Sequence, residues 1–320
     1  MSGRGQVEEI AAAYQRFAET EARGRSPLYE SLARRVAEDG EILAFLLSLP
    51  TAKRQPNLLF AAVRHRLGRF LDWAEFRHVV LTQAEDIGRL MLQRSTQTNE
   101  AGRCAVLLPV LARLPQPLAL LEIGASAGLC LLPDRYGYDY GQARLSPERR
   151  PCLSCVAGPG TPLPTRLPEV IWRAGLDLAP LEASDPQHRA WLEALVWPEQ
   201  HARLARLREA LAVAEEVKPR VVRGDLRHDL ASLALQAPPD ATLVIFHTAV
   251  LAYVRSAAER RAFADQAADM ADYWISNERP QAFPEIAQAM PSTGAGFLLS
   301  VNGMPTAWTD PHGATIDWIN

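Results

Sequence analysis

Residues 122–128, Glu-Ile-Gly-Ala-Ser-Ala-Gly, carry the pattern in this 320-residue chain that could do chemistry. An apolar run from Leu118 leads into Glu122. Gly124, Ser126 and Gly128 then alternate with small residues, and a second apolar run, Leu129-Cys-Leu-Leu132, follows. The order predicts a buried strand, a tight loop and a helix. Small residues let a backbone approach a bound molecule, and a helix start turns its free N–H groups and positive dipole end toward it. The same letters fit a second chemistry, because Gly124-Ala-Ser126-Ala-Gly128 is a G-x-S-x-G turn that can expose a nucleophilic serine. A glycine-rich crossover without any ligand is the plainest reading of all.

Further groups sit where strands are expected to end. Asp177 closes an apolar stretch, 170–176, and would hold ribose hydroxyls if 118–123 and 170–176 are neighbouring strands. It comes 53 positions after Gly124 (177 minus 124), against about 20 in a plain unit, so Asp139 is the nearer alternative. Asp225 follows the short strand 219–223. His247 and Thr248 end the β-branched run 241–248, and Asn277 and Glu278 end 273–278, at the edge where open α/β sheets bind ligands. His247, with Asn277 and Glu278, is the candidate for orienting or deprotonating a nucleophile, since imidazole titrates near neutrality. Semi-buried hydrogen bonding is its bland alternative.

The segment Glu122 to Gly128 resembles the first motif of class I S-adenosylmethionine-dependent methyltransferases. In that family an acidic residue ends the first strand and a glycine-rich loop runs under the methionine part of the cofactor. Where that motif has its middle glycine this chain has Ser126, which a positive φ would strain. The resemblance implies S-adenosylmethionine as cofactor, with Glu122, Gly124, Ser126 and Gly128 at the loop, Asp177 at the ribose and Asp225 at the adenine amino group. It also implies that Asn99, Glu100 and Arg103, at the start of a helix over 101–114, meet the amino-acid end. Thr98 or Asn99 would otherwise cap that helix.

The elements that must hold these residues divide the chain. Residues 5–114 read as successive helices, among them 27–39, 56–67 and one long helix over 73–91. Residues 116–320 alternate strand and helix, with a loop-rich insertion around 135–168 in which the tyrosines and 152–156 could form a hairpin. Helices are expected at 185–216, 226–235 and 260–270, and Asn302-Gly303 predicts an antiparallel hairpin. The fold expected is therefore α/β: a Rossmann-like, class I methyltransferase-type sheet, mostly parallel with an antiparallel C-terminal hairpin, behind an all-helical region. The domains expected are 1–115 and 116–320.

Position in the chain separates the two chemistries. A hydrolase serine follows several strands, whereas here everything before the loop looks helical. The serine hydrolase alternative would use Ser126, then Asp225 or Glu278, then His312; a non-catalytic binding protein on the same fold is a third reading. Taken from end to end, from Gln97-Thr-Asn-Glu100 to Asp310-Pro-His-Gly313, the pattern is similar to a bacterial family catalogued only as a domain of unknown function.

Composition agrees with a globular enzyme or binding protein. Hydrophobic residues make up 48%, and 34 Lys plus Arg against 37 Asp plus Glu leave a net charge of -3, which favours neither nucleic acid nor membrane. A small-molecule substrate is expected; the oligomeric state and methyl acceptor are left open. The N-terminus lacks the apolar core of a leader, and the apolar region 104–132 is interrupted by charge and proline, so a cytoplasmic location is expected. Of four cysteines, Cys104 and Cys130 read as buried thiols, and Cys152-Leu-Ser-Cys155 lacks the second pair a zinc site needs. No metal is expected.

Overall fold

A computed structural model describes residues 3–69, 72–288 and 296–319. The chain divides into two compact units, 1–98 with 186–205, and 99–185 with 206–320.

The first unit begins with α1 (Gly3–Arg16), which runs into a π-helical turn, and α2 (Pro27–Glu38), whose cap Ser26 accepts the Tyr29 N–H with Pro27 at the first helical position. Asp39 caps α3 (Gly40–Leu47) by accepting from Glu41 and Ile42, and α4 (Pro56–Leu67) ends at Gly68 in the left-handed region. The single helix expected over 73–91 is two, α5 (Trp73–Thr82) and α6 (Ala84–Gln93). The break falls at Gln83, whose φ/ψ of -117°/29° leaves the helical region although the apolar spacing continues through it. Tyr14, Phe17 and Tyr29 gather around Phe60, with Trp197 against Phe17 and Tyr29, and form this unit's aromatic core.

The second unit opens with α7 (Arg103–Leu111), all nine residues of which are buried, and β1 (Leu118–Ile123), buried throughout. The helix expected after the glycine loop is a single 3-10 turn, Leu129–Leu131, which Pro133 follows at once. The insertion forms a three-stranded sheet from β2 (Gly137–Asp139), β3 (Arg144–Leu145) and β4 (Cys152–Ser154). The tyrosine strand β2 is its centre, antiparallel to β3 and parallel to β4, rather than one arm of a simple hairpin. Then come β5 (Val156–Ala157), β6 (Val170–Asp177), α8 (Pro186–Ala194) and α9 (His201–Val217), within which the boundary between the units falls. After β7 (Arg220–Arg223), the helix expected at 226–235 is only α10 (Leu230–Ala234), and β8 (Thr242–Thr248), α11 (Ala257–Met270) and β9 (Tyr273–Glu278) follow. A short α12 (Pro284–Ala287) precedes β10 (Phe297–Val301), β11 (Met304–Thr309) and β12 (Thr315–Trp318).

The result is a mixed α/β chain with a helical N-terminal region and a large, mostly parallel sheet. Its nine strands run β5-β12-β11-β10-β9-β8-β1-β6-β7. β7, β6, β1, β8 and β9 are mutually parallel, and strand order reverses between β1 and β8, the position where open sheets leave a ligand crevice. β10 and β11 form the antiparallel hairpin around Asn302 (φ 48°) and Gly303 (φ 76°). On one sheet face Leu121, Ile123, Leu176, Ile245 and Trp274 meet Leu230 and Leu233 of α10 and Phe263 of α11. Side chains alternate along a strand, so Leu120 and Glu122 face the opposite way, toward Arg103 of α7 and the thiol of Cys130.

Candidate functional site

The loop after β1 alternates into the left-handed region: φ is 74° at Gly124, 50° at Ser126 and 70° at Gly128. At two of these positions an added Cβ would crowd a neighbouring side chain, most severely at Gly124. A Cβ on Gly124 would lie 2.2 Å from Val250 Cγ2, and one on Gly128 3.0 Å from Pro219 Cγ. Ser126 therefore occupies the strained position the sequence raised, and its neighbours hold it there. Its hydroxyl accepts from Asn99 Nδ2 at 2.7 Å, its N–H donates to Asp177 Oδ2 at 2.8 Å, and its carbonyl accepts from Leu181. Asn99 Oδ1 accepts from Ala127 at 3.0 Å, so one amide brackets the loop instead of capping α7. The residue before α7 is Gly102, whose N–H goes to Glu100 Oε1.

Asp177 is thus joined directly to the loop, and its other oxygen accepts from Ala179 at 2.8 Å. Asp139 belongs to the three-stranded sheet, where it pairs with Arg144 at 2.9 Å. Asp225 stands beyond β7 on the same carboxyl edge as Asp177, and Arg227 grips it through Nε and Nη2 at 2.9 and 2.6 Å. Those bonds hold its carboxyl down at about 2.

Glu122 is 4% exposed, and its Oε2 has no hydrogen-bond partner among the described residues. Burial, reinforced by Cys130, pushes its carboxyl well above the ordinary range, against the opposing pull of Arg103. Glu100 is buried too, but Arg206 Nε sits 2.7 Å from its Oε1, and His312 Nδ1 lies 3.9 Å from its Oε2. Arg103 reaches from α7 to the end of β8, donating to the Thr248 carbonyl and hydroxyl at 3.1 and 3.2 Å and to the Pro311 carbonyl at 2.9 Å.

His247 is completely buried on the other face of the sheet. Trp274 Nε1 donates to its Nε2 at 3.1 Å, and its Nδ1 lies 2.8 Å from Glu278 Oε1, which also accepts the Val250 and Leu251 N–H groups. The imidazole and Glu278 therefore fix the turn after β8, and both ring nitrogens are engaged. Asn277, adjacent in β9 but facing α7, accepts the Thr309 hydroxyl at 2.8 Å and leaves Nδ2 without a partner. The structure so brings Asn99, Ser126 and Asp177 into one network and His247 with Glu278 into another. Glu122, Arg103 and Asn277 lie on the α7 side.

Each member of the hydrolase set has a partner outside that set: Ser126 is bonded to Asn99, Asp225 to Arg227, Glu278 to His247, and His312 lies by Glu100. All four cysteines are free thiols. Among the described residues no group of three or more His, Cys, Asp or Glu is placed to hold a metal ion, and no helix is long and apolar enough to cross a membrane. Sequence reasoning passed over Trp274, Thr309 and Val250. Trp274 and Thr309 act through strand pairing across long separations, which local spacing does not encode.

Comparison with curated proteins finds no match. A family model does match, over residues 11–318, and the chain belongs to that family, described as an uncharacterized protein conserved in bacteria (DUF2332).

Proposed function

We propose that the second unit binds S-adenosylmethionine at the carboxyl edge of β1, β6 and β7 and transfers its methyl group to a small molecule seated over β8 and β9. One observation carries the reading. Glu122, the acid closing the first strand beside the point where strand order reverses, buries an oxygen with no partner, and a ligand ammonium fits that need. Asp177, already fastened to the loop, is suited to ribose hydroxyls. Asp225 is suited to the adenine amino group, and Asn99 holds Ser126 in the conformation the loop requires.

The bound cofactor supplies an electrophilic methyl for in-line displacement, a reaction in which alignment does much of the work. This chain's residues accordingly bind and orient. His247 and Glu278 act as positioning residues, holding the turn at 249–251 against Gly124. The separate partners of Ser126 and His312 favour this reading over ester hydrolysis.

Titration calorimetry with S-adenosylmethionine and S-adenosylhomocysteine tests it. Saturable binding of both, weakened by Asp177→Ala in a folded variant, is the expected result. Absence of binding, together with fluorophosphonate labelling that Ser126→Ala abolishes, would overturn it in favour of the hydrolase.

A further inference from the structure

Arg103 is 4% exposed, yet every acceptor it meets is neutral: the carbonyls of Pro311 and Thr248 and the Thr248 hydroxyl. Its guanidinium lies over the Phe297 ring, 6.0 Å from the centroid. Among the described residues no carboxylate pairs with it, and Nη2 makes no hydrogen bond. A buried positive charge served only by dipoles is costly, and native proteins normally pair it. The two neighbouring acids do not serve. Glu100 is spent on Arg206, and neither Glu122 oxygen makes an ion pair or hydrogen bond with Arg103.

A buried donor without a partner stands beside it. Asn277 is wholly buried, and its Nδ2 has no partner. Asn277 is the register partner of Thr248, to which Arg103 is bonded, and it accepts from Thr309, the register partner of the Phe297 under Arg103. Both donors therefore belong to one patch on the α7 side of the sheet, at the ends of β8 and β9.

We infer that Arg103 and Asn277 form the seat of a carboxylate borne by a small-molecule ligand, one oxygen for the guanidinium Nη2 and one for the amide Nδ2. One positive charge and two free donors suit a monoanion; a phosphate or sulfate dianion needs more of both. Identifying the carboxylate as the anchor of the methyl acceptor, at a residue the resemblance assigns to the amino-acid end of the cofactor, rests on the cofactor reading above. The anion seat itself does not.

Thermal unfolding of the full chain, without cofactor, in acetate, pyruvate, chloride and sulfate at matched ionic strength tests the seat. Acetate and pyruvate should raise the midpoint by a few degrees in a saturable manner, with chloride and sulfate ineffective. Arg103→Lys should weaken the response about tenfold, since an ammonium cannot keep both Thr248 bonds and still reach the ligand. Asn277→Asp, which builds the missing anion into the protein, should raise the basal midpoint and abolish the response. A wild-type midpoint indifferent to carboxylates, an equal response to sulfate, or a lowered midpoint in folded Asn277→Asp would each overturn the proposal. A carboxylate response in a protein that binds no S-adenosylhomocysteine would uphold the seat and sink the cofactor reading alone.

Discussion

Trp274 donates its indole N–H to His247 Nε2 at 3.1 Å, and this bond decides which nitrogen of the buried imidazole carries the proton. With Nε2 accepting, the proton is on Nδ1, where Glu278 Oε1 receives it at 2.8 Å. A ring committed at both ends, with no exposed surface, cannot take a proton from a substrate without first giving up the indole.

The expected consequence is an imidazole held in the Nδ1–H tautomer, read directly from its nitrogen chemical shifts. Glu278→Gln should destabilise the chain by about 1.5–3 kcal/mol in urea titration, because His247, Val250 and Leu251 all lose a charged acceptor. A Glu278→Gln variant as stable as the wild type would show that this carboxylate does not hold the turn.

Ser126 sets two opposing effects against each other. Its φ of 50° costs about 1–2 kcal/mol that glycine would not incur, while its hydroxyl bond to Asn99 returns about 0.5–1.5 kcal/mol. Ser126→Gly should therefore leave stability within about 1 kcal/mol of wild type. Ser126→Ala keeps the strain and loses the bond, so it should be the less stable of the two. Urea midpoints in the order alanine above glycine would refute the left-handed conformation.

Much of this architecture is readable from sequence, and the exceptions share a cause. The run ending in His247 and Thr248 carries its strand in its β-branched residues, and Asn302-Gly303 carries its hairpin in two residues of positive φ. Both are local signals. The break at Gln83 has no glycine or proline to announce it, and the single turn after Gly128 is cut by a proline five residues on. At the site, the polar types at 99, 100 and 103 stand out in the sequence, but not their assignments. Asn99 turns to the loop, Glu100 to Arg206 and Arg103 to Thr248 only because pairing of β1, β6 and β8 brings distant segments to one edge.

Glu122 gives the site a measurable dependence on pH. Burial raises its carboxyl above the ordinary value of 4.5, so between that value and the raised one the folded chain holds a proton that the unfolded chain has released. Stability contributed by this group is highest in acid and declines as pH rises across that window, the reverse of a salt-bridged carboxylate. Glu122→Gln, which mimics the neutral acid in shape, removes the decline. The variant should match the wild type near pH 5 and exceed it progressively toward pH 8 in urea titrations. If Glu122 also receives a ligand ammonium, the same substitution should weaken S-adenosylhomocysteine binding while strengthening the fold, the opposition expected where a protein gives up stability for a site. Wild-type binding should then release a proton, visible as a dependence of the calorimetric heat on the ionisation enthalpy of the buffer. Equal stability of the two proteins at pH 8 would show that the buried carboxyl carries no penalty.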